Sequence, residues 1–275
     1  GYYLSNQDLT QAFSTISRTC LNGNPIDILG LDVCCCGQIE IAAQVKGLVS
    51  YVVASQEVEI AYGWNYSRAF GKVAKESRTP LEFSTDIINA YREEYMSMLP
   101  DYTLAIYDLA TKPQGGQTTY FELLEQGLSD VADNLITLLK GPQTNLVRQV
   151  ITDARKKKNL FCDFYFNEYI DLHLFLISIQ NGLRQALNLN NFRNNYPETT
   201  KKMQDTVTRC VQTLEILYKV VPCYTAGPAF SGNPMLSRGI SISFPLRVIH
   251  PSLHKTAFAQ KTRWVPFLKE YLNLR

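Results

Sequence analysis

No apolar run in the 275 residues approaches the roughly 20 needed to cross a bilayer as a helix, so the sequence predicts no membrane span. Charge of either sign is scarce and nearly balanced, with 27 Lys and Arg against 25 Asp and Glu and a net charge of +2. A chain of that kind has no strong field to recruit nucleic acid or an anionic surface, and partner choice falls to local sites. The densest basic run, Arg155-Lys156-Lys157-Lys158, ends a helix-like stretch. There cations complement the helix dipole and water solvates them, so nucleic acid is not expected as a partner. Histidine is rarer still: His173, His250 and His254 are the whole supply, and none stands at zinc-ligand spacing from the thiols. His250 and His254 are four apart, but Pro251 lies between them and no glutamate follows His250, which argues against a helical zincin motif. No metal or cofactor is expected; an EF-hand-like acidic loop is also missing, which leaves a calcium role open. His173 lies in an apolar helix-like stretch and reads as a satisfied, partly buried histidine. The seven cysteines form neither a disulfide scaffold nor CxxC pairs, because Cys20, Cys162, Cys210 and Cys223 are scattered and Cys34, Cys35 and Cys36 are adjacent. Adjacent cysteines bridge poorly. There is no internal repeat or low-complexity tract.

What is present is the patterning of a globular chain, 45% hydrophobic and 19% charged, which excludes a disordered or fibrous class. In "SNQDLTQAFSTIS" Ser5 is an N-cap with Asp8 three residues on, ahead of Leu9, Ala12, Phe13 and Ile16 at helical spacing. After the turn residues "NGNP", "IDILGLDVCC" reads as a buried strand. "QIEIAAQVKG" then predicts a short helix ended by Gly47, and "VSYVVASQEV" a second buried strand. Strand, helix and strand with short connections make a βαβ unit, hence a parallel sheet with a right-handed crossover. Functional groups collect at the carboxyl ends of such strands, where Cys34 to Cys36 and Ser55 to Glu59 fall. Beyond Pro80 the pattern is mostly helical: "LEFSTDIINAYREEYMSML", "YFELLEQGLSDVADNLITLLKG", "NLVRQVITDARKKK", "FYFNEYIDLHLFLISIQNGL" and "ETTKKMQDTVTRCVQTLEILYKVV" each read as a helix, and "YTLAIYDL" as one more strand. "RGISISFPL" alternates as a strand should, and "TRWVPFLKEYLNL" closes the chain as a helix. The segment Gln114 to Gln117 reads as a flexible surface loop. Three regions follow: 1–79 with the thiol-bearing strand, 80–225 mainly helical, and 226–275 with a strand and helix returning to the core.

A cysteine can be packing, a metal ligand, half of a disulfide or a nucleophile, and packing is the commonest use of a free one. On an extended strand Cys34 and Cys36 share a side and Cys35 does not. The surrounding residues carry more. "DILGLDVCCCGQIEIAAQVKGLVSYVVASQEVEIAYGWNY", with Asp32, Cys34, Glu40, Ser55, Glu57, Gly63, Trp64 and Tyr66, resembles the core of the clostripain family of cysteine peptidases. "RGISISFP" followed by "TRWVPFLKEYL" resembles that family's closing strand and helix, while residues 80–225 carry no assignable motif.

The resemblance implies an α/β fold of caspase-like type, a parallel-sheet core with flanking helices plus a mainly helical insertion or C-terminal subdomain. It implies a secreted or cell-surface bacterial endopeptidase that cuts polypeptides after Arg or Lys through a Cys-His dyad. Cys34 aligns with the nucleophile; Cys35 and Cys36 replace residues that are usually apolar. Asp32 aligns with the primary pocket acid and would pair a basic P1 side chain, bidentate for Arg; the other reading is that it caps a neighbouring helix or loop. A second pocket acid stands in relatives where this chain has Tyr62, so the pocket leans on Asp32 alone or borrows Glu57 or Glu59. Trp64 either walls the pocket or belongs to the aromatic core.

Relatives carry the catalytic histidine upstream in a His-Gly motif, and no histidine precedes Cys34 here. The preferred expectation is that the chain is the larger product of an activating cleavage before Gly1, with the histidine on a smaller upstream chain that stays bound. The alternative is a non-catalytic binding protein on the same scaffold, with the helical half as its interaction surface. A third reading, a thiol redox or metal-sensing protein, expects Cys35 or Cys36 rather than Cys34 to dominate reactivity.

Overall fold

The computed structural model describes residues 5–156, 167–189, 192–231 and 237–274. Helix α1 (Asn6–Cys20) begins at the expected cap: Ser5 Oγ accepts from the Asp8 N–H at 3.2 Å, and Asp8 Oδ2 accepts from the Ser5 N–H at 2.8 Å. Two donors left open by the first helical turn are thereby satisfied reciprocally. Strand β1 (Ile26–Leu31), helix α2 (Ile39–Val45) and strand β2 (Val49–Ala54) follow as the βαβ unit, paired parallel from Ile26 beside Val49 to Leu31 beside Ala54. Gly47 makes the reversal after α2 with φ of 80°, a conformation in which a Cβ is strained.

Helices α3 (Tyr66–Val73) and α4 (Pro80–Tyr95) precede β3 (Thr103–Asp108), which is antiparallel to β2. Two successive helices replace the single crossover of a βαβ unit and leave the chain at the carboxyl end of β2. The register shows this, with Ala105 opposite Ala54 and the hydroxyls of Thr103 and Ser55 2.8 Å apart. The helical region continues with α5 (Tyr120–Leu139) and α6 (Thr144–Lys156), then β4 (Tyr169–Asp171), α7 (Leu172–Leu187), α8 (Phe192–Asn195) and α9 (Pro197–Val220). Strand β5 (Tyr224–Ala226) returns to the sheet antiparallel to β3 and is followed by α10 (Pro228–Ser231). The four-stranded order is β1-β2-β3-β5. The α/β core with flanking helices is as expected, but its sheet is mixed: β1, β2 and β5 share one direction and β3 is reversed.

Strand alternation builds two cores. Val53, Leu104 and Ile106 face α3 and α4, whereas Val52, Ala54, Ala105 and Tyr107 face α2 and the α5, α7 and α9 layer. Both faces of β3 are covered, so all six of its residues are buried.

Strand β6 (Ser241–Ser243) pairs with β4 in a separate two-stranded sheet rather than joining the main one. The stretch read as one helix from Phe164 therefore divides, with Phe164 to Phe166 outside the described residues. Tyr169–Asp171 is strand, and Asp171 caps α7 by accepting from the Leu174 N–H at 2.9 Å. A 3-10 turn (Leu253–Lys255), α11 (Ala257–Lys261) and α12 (Trp264–Leu272) finish the chain. Trp264 donates its Nε1–H to the Ser243 carbonyl at 2.8 Å, and its ring packs edge-on to Phe244 and Phe175. Arg155 corrects the picture of a solvated basic terminus: its Nε donates to the Phe244 carbonyl at 2.8 Å and its guanidinium lies 5.7 Å from that ring's centre. A planar cation stacked on an aromatic face keeps its hydrogen bonds while losing water. Lys157 and Lys158 lie outside the described residues.

Candidate active site

Strand β1 stops at Leu31, so the thiols do not alternate along it. Cys34 and Cys35 occupy a turn beyond its carboxyl end, and Cys35 has φ of 56°. A left-handed residue with a Cβ costs about 1–2 kcal/mol, and here bonds from a distant segment hold it. The Cys35 N–H donates to the Glu57 carbonyl at 2.9 Å, and the Gly37 N–H to the Ser55 carbonyl at 2.6 Å. A Cβ on Gly37 would lie 2.5 Å from the Tyr107 hydroxyl and 2.6 Å from the Gln56 nitrogen. Only glycine lets the turn approach the end of β2 so closely.

The three thiols separate by environment. Cys34 is exposed, with its Sγ 3.9 Å from the Glu59 carbonyl oxygen. Cys35 is buried, and burial, aided by the charge of Glu57, pushes its thiol up to about 12. Burial also raises Cys36, above all other causes. Since the thiolate is the reactive form, these shifts oppose the redox reading in which Cys35 or Cys36 dominates. Exposure singles out Cys34 within the triplet.

Asp32 is wrapped by the segment that follows β2. Its Oδ2 accepts from the Trp64 N–H at 3.1 Å and from the Tyr66 hydroxyl at 2.7 Å. Gly63, with φ of 67°, makes that approach possible, since a Cβ there would sit 2.7 Å from the same oxygen. The Trp64 ring is buried in the core beside Gly30, and its Nε1–H donates to Glu59 Oε1 at 3.3 Å. The other Glu59 oxygen accepts from the Tyr91 hydroxyl at 2.8 Å. Burial pushes the Glu59 carboxyl up to about 7 against the opposing pull of those two donors, and the nearby Asp32 charge adds to the rise.

Asp32, Cys34, Glu59 and Trp64 are thus brought together. The Glu57 backbone supports the turn, while its buried carboxylate accepts from the adjacent Val58 N–H at 2.7 Å. Tyr62 is 93% exposed, in the turn ahead of Gly63. Sequence reasoning missed the supports on α4, Tyr91 and Tyr95. The latter donates to the Gly63 carbonyl at 2.6 Å. Their spacing of four on an amphipathic helix marks an inward face, and a buried tyrosine needs a polar partner, but nothing local names it.

Two of the three histidines are engaged elsewhere: His173 Nε2 lies 2.8 Å from the Tyr218 hydroxyl and His250 Nδ1 2.6 Å from Ser252 Oγ. Among the described residues no hydrogen bond joins any of the three histidines to the Cys34 turn. Nor do the described residues include a group of three or more His, Cys, Asp and Glu placed to hold a metal ion, and no helix among them is long and apolar enough to cross a membrane.

Glu59 and Glu40 give a stability signature. Glu40 is fully buried, accepts from the Ser243 N–H at 2.9 Å, and is pushed up to about 7 by burial. An exposed glutamate titrates near 4.5, so between pH 4.5 and 7 the unfolded chain binds fewer protons than the folded one. Stability is therefore expected to fall with rising pH across that window and to level off above it. Denaturant unfolding at pH 5 and pH 8 checks this: Glu40→Gln should flatten the fall by on the order of 3 kcal/mol, and an unchanged slope would show that Glu40 ionises freely in the fold.

A protein-family model described as the Clostripain family matches residues 3–203. Solved structures with a similar fold include a clostripain from Bacteroides thetaiotaomicron in complex with the peptide inhibitor BTN-VLTK-AOMK, 15% identical with TM-score 0.55 and 95% of each chain covered. A Bacteroides fragilis cysteine protease is 16% identical with TM-score 0.55, covering 96% of this chain and 97% of its own. A secreted C11 cysteine protease from Bacteroides thetaiotaomicron is 15% identical with TM-score 0.51, covering 91% and 59%. No curated protein matches the chain.

Proposed function

The chain belongs to the clostripain family of cysteine peptidases, and from that premise we propose that it cleaves polypeptides after Arg or Lys with Cys34 as nucleophile and Asp32 as the principal P1 acid. One observation carries the reading: an exposed thiol stands two residues beyond a carboxylate held in place by the Trp64 N–H and the Tyr66 hydroxyl. A basic side chain reaching Asp32 would place its own carbonyl beside the thiol, which is the proximity such a reaction requires. The inhibitor bound to the Bacteroides thetaiotaomicron clostripain, whose peptide part VLTK ends in lysine, is consistent with a basic P1.

In the proposed reaction the Cys34 thiolate attacks the P1 carbonyl carbon. The C–N bond then breaks, the amine leaves with a proton from an imidazolium, and water hydrolyses the thioester to free the acid and the thiol. His173 and His250 are bonded elsewhere, and no described hydrogen bond joins His254 to the Cys34 turn, so the imidazole is the part that these three do not supply. We assign it to a further polypeptide segment bound beside the Cys34 turn, and an activating cleavage that leaves that segment bound is part of the same proposal. Secretion, the property of one similar protease, is proposed here also.

The test is a peptidyl acyloxymethyl ketone with Arg at P1, applied to the assembled enzyme and mapped by mass spectrometry. The adduct is expected on Cys34. An adduct on Cys35 or Cys36 would move the nucleophile, and no adduct on any of the three would return the chain to the non-catalytic reading.

A further inference from the structure

Helix α3 turns an unusually apolar face to solvent. Tyr66 is 52% exposed, Phe70 51% and Val73 39%, at positions i, i+4 and i+7 that share one side of a helix. Ala69, three residues after Tyr66 and one before Phe70, borders that face and is buried in the core that α3 shares with α4. The face is continuous with the site: the Tyr66 hydroxyl is bonded to Asp32, and the rings run onward in close order. Centroids lie 6.4 Å apart from Trp64 to Tyr66, 6.3 Å from Tyr66 to Phe70 and 5.1 Å from Phe70 to the partly buried Phe83.

That spacing has a counterpart in the substrate. An extended peptide rises about 3.3 Å per residue and sends alternate side chains to one side, so same-side neighbours are about 6.6 Å apart. A chain whose basic residue points at Asp32 and which continues along α3 would set every second side chain over Tyr66 and then Phe70. The geometry points to a substrate track on α3, Tyr66 to Phe70 with Val73 beside it, that selects polypeptides carrying apolar side chains at alternate positions counted from the basic residue. The inference rests on the peptidase reading of the site and adds a specificity that the acid pocket does not provide. An apolar side chain laid on an exposed ring removes the apolar surface of both partners from water, which is the source of the selection.

The experiment uses the assembled, active enzyme and three arginine substrates: a blocked single-arginine amide, a heptapeptide with leucine at every second position from the arginine, and the same peptide with the leucines shifted by one. The peptides are extended on each side of the scissile bond in separate series. In the wild type, kcat/KM for the alternating peptide is expected to exceed that for the shifted one by about tenfold in one of the series. Phe70→Ser should abolish that ratio and leave the single-arginine amide unchanged. Equal kcat/KM for the two registers in both series overturns the track, as does a ratio that survives Phe70→Ser. If Phe70→Ser instead releases a bound polypeptide segment with the ratio unaltered, the face is an interface within the enzyme and the track is wrong. Loss of the single-arginine amide with Phe70→Ser would mark a folding defect, and the two registers in the wild type then decide alone. Absence of turnover of every arginine substrate by the wild type would overturn the peptidase reading itself.

Discussion

Serine in place of Cys34 is expected to lower kcat/KM toward an arginine substrate by on the order of 10⁴-fold or more, the scale on which removing a nucleophile acts when the rest of the site is intact. A hydroxyl is far less ionised than a thiol near neutral pH and gains nothing from this turn. The fold should not change: Cys34 is exposed, and its one described interaction is a 3.9 Å contact with the Glu59 carbonyl. Steady-state kinetics with an unfolding curve for the same variant check both halves. Cys35→Ser and Cys36→Ser are the controls, since neither thiol has the exposure of Cys34, and each should keep most of the activity. Comparable losses from all three would mean that the triplet acts as one structural unit.

Asp32→Asn is expected to cost the arginine substrate roughly 10²–10³-fold in kcat/KM, the equivalent of about 3–4 kcal/mol for removing one side of a hydrogen-bonded charge pair. The asparagine oxygen can still accept from the Trp64 N–H and the Tyr66 hydroxyl, so the loop keeps its anchors while the charge disappears. Turnover of a citrulline substrate, which has the shape of arginine without its charge, should fall much less. The discrimination between the two would then shrink by a similar factor. Equal losses for both substrates would mean that Asp32 acts by holding the loop and not by facing the substrate. Those are the two roles its position allows, and the hydrogen bonds already made show that loop-holding is at least one of them.

Glu59 is the less legible partner. With Tyr62 standing where relatives carry the second acid, Glu57 and Glu59 are the two acids the pocket can borrow, and no pattern within residues 55–66 ranks Glu59 above Glu57. What separates them is the setting of the side chains: Tyr91 from α4 and the Trp64 indole both donate to the Glu59 carboxyl, the Glu57 carboxylate accepts from the Val58 N–H, and Tyr62 is exposed. Each partner depends on how α4 docks across β2 and β3, a packing outcome beyond the reach of short-range spacing.

Short-range chemistry was enough for the rest. The Ser5 and Asp8 cap, the run from Ile26 to Ala54 as strand, helix and parallel strand, the reversal at Gly47 and the placing of Cys34 and Asp32 at a strand's carboxyl end all follow from neighbours within a few residues. Capping, period and turn residues are settled at that range. Long-range pairing determined the remainder. β3 runs against β2 because two helices intervene, and β6 finds β4 because Asp171 ends a strand and caps a helix. Cys35 takes a left-handed turn because the Glu57 and Ser55 carbonyls hold the backbone on either side of Cys36. Backbone groups that are buried must find partners, and in these strand and turn pairings the partners lie eighteen or more residues away, where no periodicity in the sequence can register them. The three thiols are consecutive in the chain, yet the turn imposed from β2 leaves one in solvent and buries the next.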